Sequence, residues 1–337
     1  MSSIIPKDCW LKVFALLPPS QLGLGIALIS RPFDTIVDEH FNTRSWTLDK
    51  ELQIGKKKQG FGSKEVEIVG ANGEKPLPIP KIPLPNNVIG FNRITFTYFD
   101  HNVITFLGHF HRFFASSTTS LTIATDDVRI SEFFVSTIWP MFSDSIRDMS
   151  LTISGFRLLR QLAPSILNDC PSLRFVTFVG KILPEFPPDD SANATDGQAV
   201  AKWLFTPRPK DEMNVLKCRV AVEQWSSRME QIKAAFSAAS SRVCFSILFE
   251  FSPSSSIDSV VPFKLTNELT GEKLTGSKCF KNGVLLIRCS SVVKTPNMER
   301  TFIRRMNEVI IKIGDGGVDD GLLDNSPGPN GQHQNEY

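Results

Sequence analysis

The feature that most constrains the fold of this chain is a run of short strand-like patterns that recur between helical patterns. Four segments alternate apolar and polar residues with the period of two that is typical of strands: 94–97, 120–123, 150–153 and 174–178. Their starts are about 26 to 30 residues apart. Helical patterns lie between them: 103–114, 130–142 and 156–167. Units of this kind cannot bury their faces alone, so we expect them to stack on one another.

The same alternation continues toward the C-terminus. A strand at 215–222, a helix at 223–239 and a strand at 242–251 restore the spacing after a long loop at 181–197. Further elements are then predicted: antiparallel strands at 260–266, 271–275 and 283–289 and a closing helix at 297–313. The period lies in the range of leucine-rich repeats, and residues 167–173 resemble the linker of degenerate members of that family, although the Asn/Cys ladder of its consensus is missing.

The first forty residues predict three short helices. Pro6 and Asp8 suit the first turn of a helix in which Trp10, Phe14 and Leu17 recur at i, i+4 and i+7. The second and third helices are predicted from further apolar positions: Leu22, Ile26, Ile29, Phe33, Ile36, Val37 and Phe41. Three helices of this length cannot bury all of that apolar surface among themselves, so we expect them to need a partner.

Residues 3–45 resemble the F-box family. The family pattern is a Leu-Pro opening, an apolar helix, a Leu before a short turn, and a Val-Ser/Cys-Arg/Lys sequence followed by an aromatic residue. The corresponding residues here are Ile5, Pro6, Trp10, Val13, Phe14, Leu16, Leu17, Leu22, the stretch 27–31 and Phe33. The chain departs from the pattern at Ile5, at Gly23 and Gly25, which weaken the second helix, and at Pro32, which is tolerated if a new helix begins there.

The resemblance implies that these helices dock onto the Skp adaptor, which links F-box proteins to the cullin scaffold of an SCF-type ubiquitin ligase. It implies the following adaptor-binding residues: Ile5, Pro6, Trp10, Val13, Phe14, Leu17, Leu22, Leu28, Ser30 and Arg31. We expect Trp10, Phe14, Leu17, Leu22 and Leu28 to form an exposed helix-packing patch. The alternative is a helical cap on the following domain, which burial of Trp10, Phe14 and Leu17 against residues beyond 90 would favour.

Composition limits the other function classes. The chain has 337 residues, 41% of them hydrophobic and 21% charged, which is enough for about two globular domains. A net charge of only +2 gives no general footprint for nucleic acid or an anionic membrane. No N-terminal segment resembles a signal peptide, no apolar run approaches the length of a membrane span, and the six cysteines are scattered singly. We therefore expect reduced, buried cysteines and a cytoplasmic or nuclear protein.

The sequence nominates no catalytic, metal or cofactor site. His101, His109 and His111 form the one histidine cluster, but a spacing of two places His109 and His111 on different faces of a helix. No phosphate-binding glycine loop, dinucleotide-binding loop or nucleophile elbow is present. We therefore expect no cofactor and no enzymatic activity.

These patterns predict an α/β fold: a three-helix F-box followed by an irregular β-α solenoid of leucine-rich-repeat character, with antiparallel strands near the C-terminus. The expected boundaries are 1–45 for the F-box, 46–90 for an extended Pro/Gly-rich connector with a hairpin near 66–73, 91–313 for the repeat-like substrate-binding domain and 314–337 for a disordered tail. The expected function is recruitment of an unidentified protein target to the ligase. The alternatives are an interaction scaffold of leucine-rich-repeat type, and a hydrolase or transferase with a site made by the repeat loops.

Overall fold

The structure is a computed structural model, and it describes residues 5–17, 21–42, 46–48, 52–56, 66–70, 77–80, 88–91, 93–110, 113, 119–124, 127–209, 212–252, 260–279, 282–290, 308–313 and 317–323. The chain divides into two units. Unit 1 consists of residues 1–113, 127–141 and 311–337, and unit 2 of residues 114–126 and 142–310. The boundaries expected at residues 45 and 90 both lie inside unit 1, and they remain predictions.

The N-terminal helices follow the proline and glycine signals of the sequence. Helix α1 spans Lys7–Phe14 directly after Pro6, and helix α2 spans Arg31–Asn42 with Pro32 in its first turn, where a missing N–H costs little. The predicted second helix is instead a π-helical turn, Leu22–Ile26. Its two glycines lower helix propensity, which is consistent with a wide turn in place of a regular α-helix.

Residues 46–91 contain strands where the sequence predicted an extended connector. The strands are β1 (Trp46–Leu48), β2 (Leu52–Lys56), β3 (Val66–Gly70), β4 (Leu77–Pro78) and β5 (Val88–Phe91). Antiparallel pairing of β2 with β3 confirms the hairpin predicted nearby, and β1 pairs in parallel with β5. The predicted strand at 94–97 is β6 (Arg93–Phe96), which pairs in parallel with β2. The buried Ile54 and Ile68 on facing strands explain why this segment pairs.

Two predictions for the C-terminal part are wrong. Residues 308–312, predicted to end a closing helix, form strand β15 (Glu308–Lys312). Residues 317–323, predicted to be disordered, are bound to the backbone of residue 99: Phe99 N–H donates to the Gly317 carbonyl, and Asp319 N–H donates to the Phe99 carbonyl. A short helix, Asp320–Leu323, follows. The remainder of the predicted tail and of the predicted closing helix lies outside the described residues.

Unit 2 is built on an open mixed sheet whose parallel strands lie where the sequence predicts strands. The parallel strands are β7 (Thr119–Ala124), β8 (Ile146–Thr152), β9 (Phe175–Lys181), β10 (Asn214–Val220) and β11 (Phe245–Phe251). Each pairs with the next one along the chain. The antiparallel strands predicted near the C-terminus are confirmed as β12 (Phe263–Thr266), β13 (Lys273–Cys279) and β14 (Gly283–Cys289), with β14 on β11, β13 on β14 and β12 on β13.

Two helices of unit 2 pack on one face of its sheet. In chain order after α2, the described α-helices are α3 (His101–His109) and α4 (Val128–Phe133) in unit 1, α5 (Ile153–Leu162), α6 (Asp196–Leu204) and α7 (Val222–Ser237) in unit 2, and α8 (Asp320–Leu323) in unit 1. The Phe156 ring of α5 lies 4.9 Å from Phe178, and the Trp225 ring of α7 lies 5.1 Å from Phe249. Successive side chains of a strand point to opposite faces of the sheet, and the register places Phe178 and Phe249 on the same face. We call it the helix face, and the opposite one the second face.

The connection from β9 to α6 is long but tightly held, as a loop in a compact unit requires if its backbone is to be satisfied. The buried Arg160 guanidinium donates to the carbonyls of Ser191 and Ala194 and to the carboxylate of Asp196. Thr195 and Gln198 form a reciprocal capping box at the start of α6. This confirms the loop predicted at 181–197.

A buried ion pair joins the antiparallel strands to the rest of the core of unit 2. Arg288 donates to one carboxylate oxygen of Glu272 from Nε at 3.2 Å and from Nη2 at 2.7 Å. The other oxygen of Glu272 accepts from the backbone N–H of Val243. The guanidinium lies 5.5 Å from the Phe205 ring and 5.3 Å from the Phe236 ring. Because both charges are removed from water, each depends on the other for compensation.

Candidate protein-interaction surface

The N-terminal helices enclose a small hydrophobic core of their own. Its buried residues are Phe14, Leu22, Ala27, Val37 and Phe41, and the partly buried residues packed against them are Trp10, Leu17, Ile26, Phe33 and Ile36. All of these residues lie between positions 10 and 41. Phe14 comes from α1 and Phe41 from α2, while Leu22 comes from the turn between them, so the three elements are held together by burial of each against the others. We call residues 5–42 the helical module.

This core corrects the expected docking patch. Phe14 is only 1% exposed and Leu22 is fully buried, so neither side chain can meet a partner without unfolding the module. Trp10 is half-buried, with its ring edge-on to Phe33 at 5.0 Å. Leu17 and Leu28 are half-buried as well. The apolar positions at i, i+4 and i+7 that the sequence marked as a partner surface are therefore the module's own core stripe.

A second row of apolar side chains, on α1 and in the turn directly after it, is exposed instead. Cys9, Val13 and Leu16 recur at i, i+4 and i+7, one residue before the core row, and all three are exposed; Val13 is 43% and Leu16 is 85% accessible. Ile5 and Ile29 are exposed apolar residues of the same module. We call Cys9, Val13 and Leu16 the apolar stripe. The sequence carried this signal, since two apolar rows run along one helix, but it did not indicate which row is buried.

The remaining predicted site residues lie on the surface of the module. Pro6 is exposed and precedes the first helical residue of α1 with extended backbone angles. Ser30 and Arg31 are exposed at the start of α2, where the Ser30 carbonyl accepts from the Asp34 N–H and the Arg31 carbonyl accepts from the Thr35 hydroxyl. The structure thus collects every predicted adaptor-binding residue in one module, with Phe14 and Leu22 inside it.

Charged side chains on the module are exposed or partly exposed to solvent. Lys7 on α1 forms an ion pair with Glu39 on α2, and both side chains are about half exposed, so the pair contributes little to stability. Partial burial, together with the nearby Asp34 carboxylate, raises the pKa of Asp38 above its ordinary value. The exposed apolar side chains are therefore the larger potential source of binding free energy on this surface.

The part of the chain that the structure describes contains no candidate metal site. No group of three or more His, Cys, Asp or Glu side chains there could hold a metal ion. His101 and His109 lie at opposite ends of α3, and His111 lies outside the described residues. Burial raises the pKa of the Cys170 and Cys218 thiols, which makes both poor nucleophiles.

The burial of the cysteines and the length of the helices bear on two further expectations from the sequence. Cys170, Cys218 and Cys244 are buried as expected, and Cys279 and Cys289 are partly so, but Cys9 is exposed on the apolar stripe. All six cysteines are free thiols. Within the described ranges, no helix has the length and apolar character needed to cross a lipid bilayer.

Comparisons of the chain with models of protein families, with curated proteins and with solved structures give no match. The F-box resemblance and the leucine-rich-repeat interpretation therefore stay predictions, and they depend on the residues and on the geometry described above.

Proposed function

We propose that this chain is the substrate-recruiting F-box subunit of an SCF-type ubiquitin ligase. In this proposal the helical module binds the Skp adaptor, and unit 2 binds a protein target. The chain itself performs no chemistry. It raises the effective concentration of the target near the ubiquitin-loaded conjugating enzyme, which other subunits bring to the assembly.

The observation that carries this proposal is the organisation of the helical module. Its core residues all lie between positions 10 and 41, which supports a module that folds around its own core and not a cap that buries Trp10, Phe14 and Leu17 against residues beyond 90. The module leaves Val13 and Leu16 in water. Exposed apolar residues that recur along one helix are typical of a surface that receives another helix.

The order of the parallel strands, which follows the order of the chain, supports the proposal that unit 2 binds a protein target. Strands β7 to β11 lie side by side in chain order, which is the arrangement that stacked β-α units produce. Repeat-like sheets of this kind offer extended surfaces for a protein partner. The strand at 94–97 does not belong to this run, because β6 pairs with β2 in unit 1.

Adaptor retention by the full chain tests the proposal. The chain is purified with the Skp adaptor as wild type and as the variants Val13→Asp and Leu16→Asp. We expect the wild type to retain the adaptor and each variant to lose affinity by more than about tenfold, because a charge in an apolar interface costs at least about 2 kcal/mol at a binding hot spot. Both side chains are exposed, so the variants should keep the circular dichroism and the unfolding midpoint of the wild type.

The matched control is Leu269→Asp. Leu269 is 74% exposed in unit 2, so the same charge is added at an equally accessible leucine outside the module. The control should retain the adaptor like the wild type. A wild-type chain that does not retain the adaptor overturns the proposal, and so do folded Val13 and Leu16 variants that retain it as well as the control. In either case the interaction-scaffold alternative becomes the better description.

A further inference from the structure

The second face of β9 to β11 carries several charged side chains, whereas the helix face carries the aromatic side chains that contact α5 and α7. Strand register places Thr177, Lys217 and Leu248 in one row across the three strands. The next row toward the carboxyl ends consists of Lys181, Arg219 and Glu250. The Phe178 and Phe249 side chains, which receive α5 and α7, point the other way, so those two helices do not cover these rows.

Exposure on the second face increases along the strands. Near the strand starts, Val215 and Ser246 are buried. Toward the carboxyl ends, Val179 is 56% exposed, Arg219 is exposed and Glu250 is partly exposed. The accessible part of this face is therefore the carboxyl end of the parallel strands, which is where ligands bind in open parallel sheets.

Three cations meet at this accessible end, and we call Lys181, Lys217 and Arg219 the basic cluster. Lys217 forms a 2.8 Å ion pair with Glu250. Lys181 and Arg219 are exposed and lie directly opposite each other in the register of β9 and β10. Like charges opposite each other on neighbouring strands destabilise a sheet. Glu250 pairs with Lys217, and a bound anionic group between Lys181 and Arg219 would relieve the repulsion between those two side chains.

We propose that the basic cluster, together with the exposed Val179 beside it, binds an acidic segment of the target protein. This inference rests on the proposed function, since it names the class of target that unit 2 receives. Lys181, Lys217 and Arg219 supply the electrostatic attraction, and Val179 supplies an apolar contact that a polypeptide side chain can use.

Three features favour a peptide over nucleic acid as the occupant. The cluster contains three cations, whereas tight binding of a phosphate backbone uses roughly 6–10 contacts. The chain as a whole has a net charge of only +2, which gives no general footprint for a polyanion. An exposed valine within the patch also fits an apolar side chain better than it fits a phosphate.

Direct binding to a defined probe tests this inference without the adaptor. The probe is a fluorescein-labelled peptide of four Asp-Glu-Leu repeats, and its fluorescence anisotropy is titrated with the full chain. The test variant is the double substitution Lys181→Glu and Arg219→Glu. We expect it to weaken binding by more than about tenfold, because each reversed charge replaces an attraction with a repulsion. Binding by the wild type should also weaken as salt is raised from about 0.05 to 0.3 M.

The matched control is Arg147→Glu, an exposed arginine at the amino end of β8. It reverses one cation in the same sheet at the opposite end of the strands, and it should change the affinity by less than about twofold. Absence of peptide binding by the wild type overturns the inference. Equal binding by the double variant overturns it too, as does tighter binding of a single-stranded oligonucleotide than of the peptide.

Adaptor retention, measured on the same preparations, keeps the two proposals separate. A double variant that has lost the peptide and still retains the adaptor supports the inference. A wild type that retains the adaptor and ignores the peptide overturns the inference and leaves the proposed function standing. A wild type that binds the peptide through the basic cluster but not the adaptor overturns the proposed function alone.

Discussion

The helical module and the sheet of unit 2 bury their cores in different ways. The module closes its core with side chains from positions 10 to 41, so every contact is between residues close in the sequence. The sheet joins strands that range from residue 119 to residue 289. The exposed row at the first helix of the module is apolar, with Val13 and Leu16 in it, while the accessible end of the second face of the sheet carries the exposed Lys181 and Arg219 beside Val179. A small unit has too little interior for all of its apolar residues, whereas a larger unit buries a greater fraction of its surface.

The largest expected effect concerns the buried charges of the sheet. Glu272→Ala leaves the Arg288 guanidinium buried without its carboxylate and should destabilise unit 2 by about 3–5 kcal/mol. The matched control is Glu250→Ala, which removes the partly exposed partner of Lys217 and should cost less than about 1 kcal/mol. Urea unfolding followed by circular dichroism measures both. Similar losses for the two variants would contradict the assigned difference in burial.

A somewhat smaller effect is expected in the module. Phe14→Ala should destabilise it by about 3 kcal/mol, at the low end for phenylalanine, because the half-buried Trp10 and Leu17 can relax into the space. Hydrogen exchange measured by mass spectrometry should then show residues 7–42 losing protection while β8 to β11 keep theirs.

The matched control for that change is Val13→Ala, one residue away on the same helix. Val13 is exposed, so its truncation should leave exchange in the module almost unchanged. Loss of protection across the strands of unit 2 in the Phe14 variant would show that the module does not fold as an independent unit. The module and the sheet would then not have separate cores.

The smallest expected effect is a difference in titration between two aspartates. Partial burial and Asp34 raise the pKa of Asp38 in the module above 3.8, whereas hydrogen bonds from the backbone N–H and hydroxyl of Ser191 lower the pKa of Asp189 in unit 2 below 3.8. The folded module therefore holds the Asp38 proton more tightly than the unfolded chain does. Its stability should fall as pH rises through the pKa of Asp38 in the folded state.

The sign is opposite for Asp189, whose contribution is present above 3.8 and is lost as pH falls through its lowered pKa. Carbon-13 NMR of the side-chain carboxyls measures both midpoints. Asp34→Asn should lower the midpoint of Asp38, and Ser191→Ala should raise that of Asp189. A midpoint of Asp189 above that of Asp38 would contradict at least one of the two assignments.

Much of the secondary structure could be predicted because it is encoded locally. The strand at 120–123, the helix at 223–239 and the strand at 283–289 have the expected type and nearly the expected bounds. The sequence predicts a helix where β15 lies. The reason is that Glu308 to Ile311 are all buried, and a short segment that is buried on both faces shows no alternation that would distinguish a strand from a helix. The short strands of residues 46–91 were missed because Pro and Gly dominate the pattern around them.

For the candidate site, the sequence by itself determined that α1 carries apolar residues in rows, that Pro6 and Pro32 begin helices, and that strands and helices alternate after residue 119. These properties depend on backbone preferences and on periods of two and 3.6 residues. Only the tertiary structure decided that Phe14 is buried while Leu16 is exposed, and that Lys181 lies opposite Arg219. The physical reason is that burial and register depend on contacts with other segments, and no local pattern specifies which of two adjacent rows will meet them.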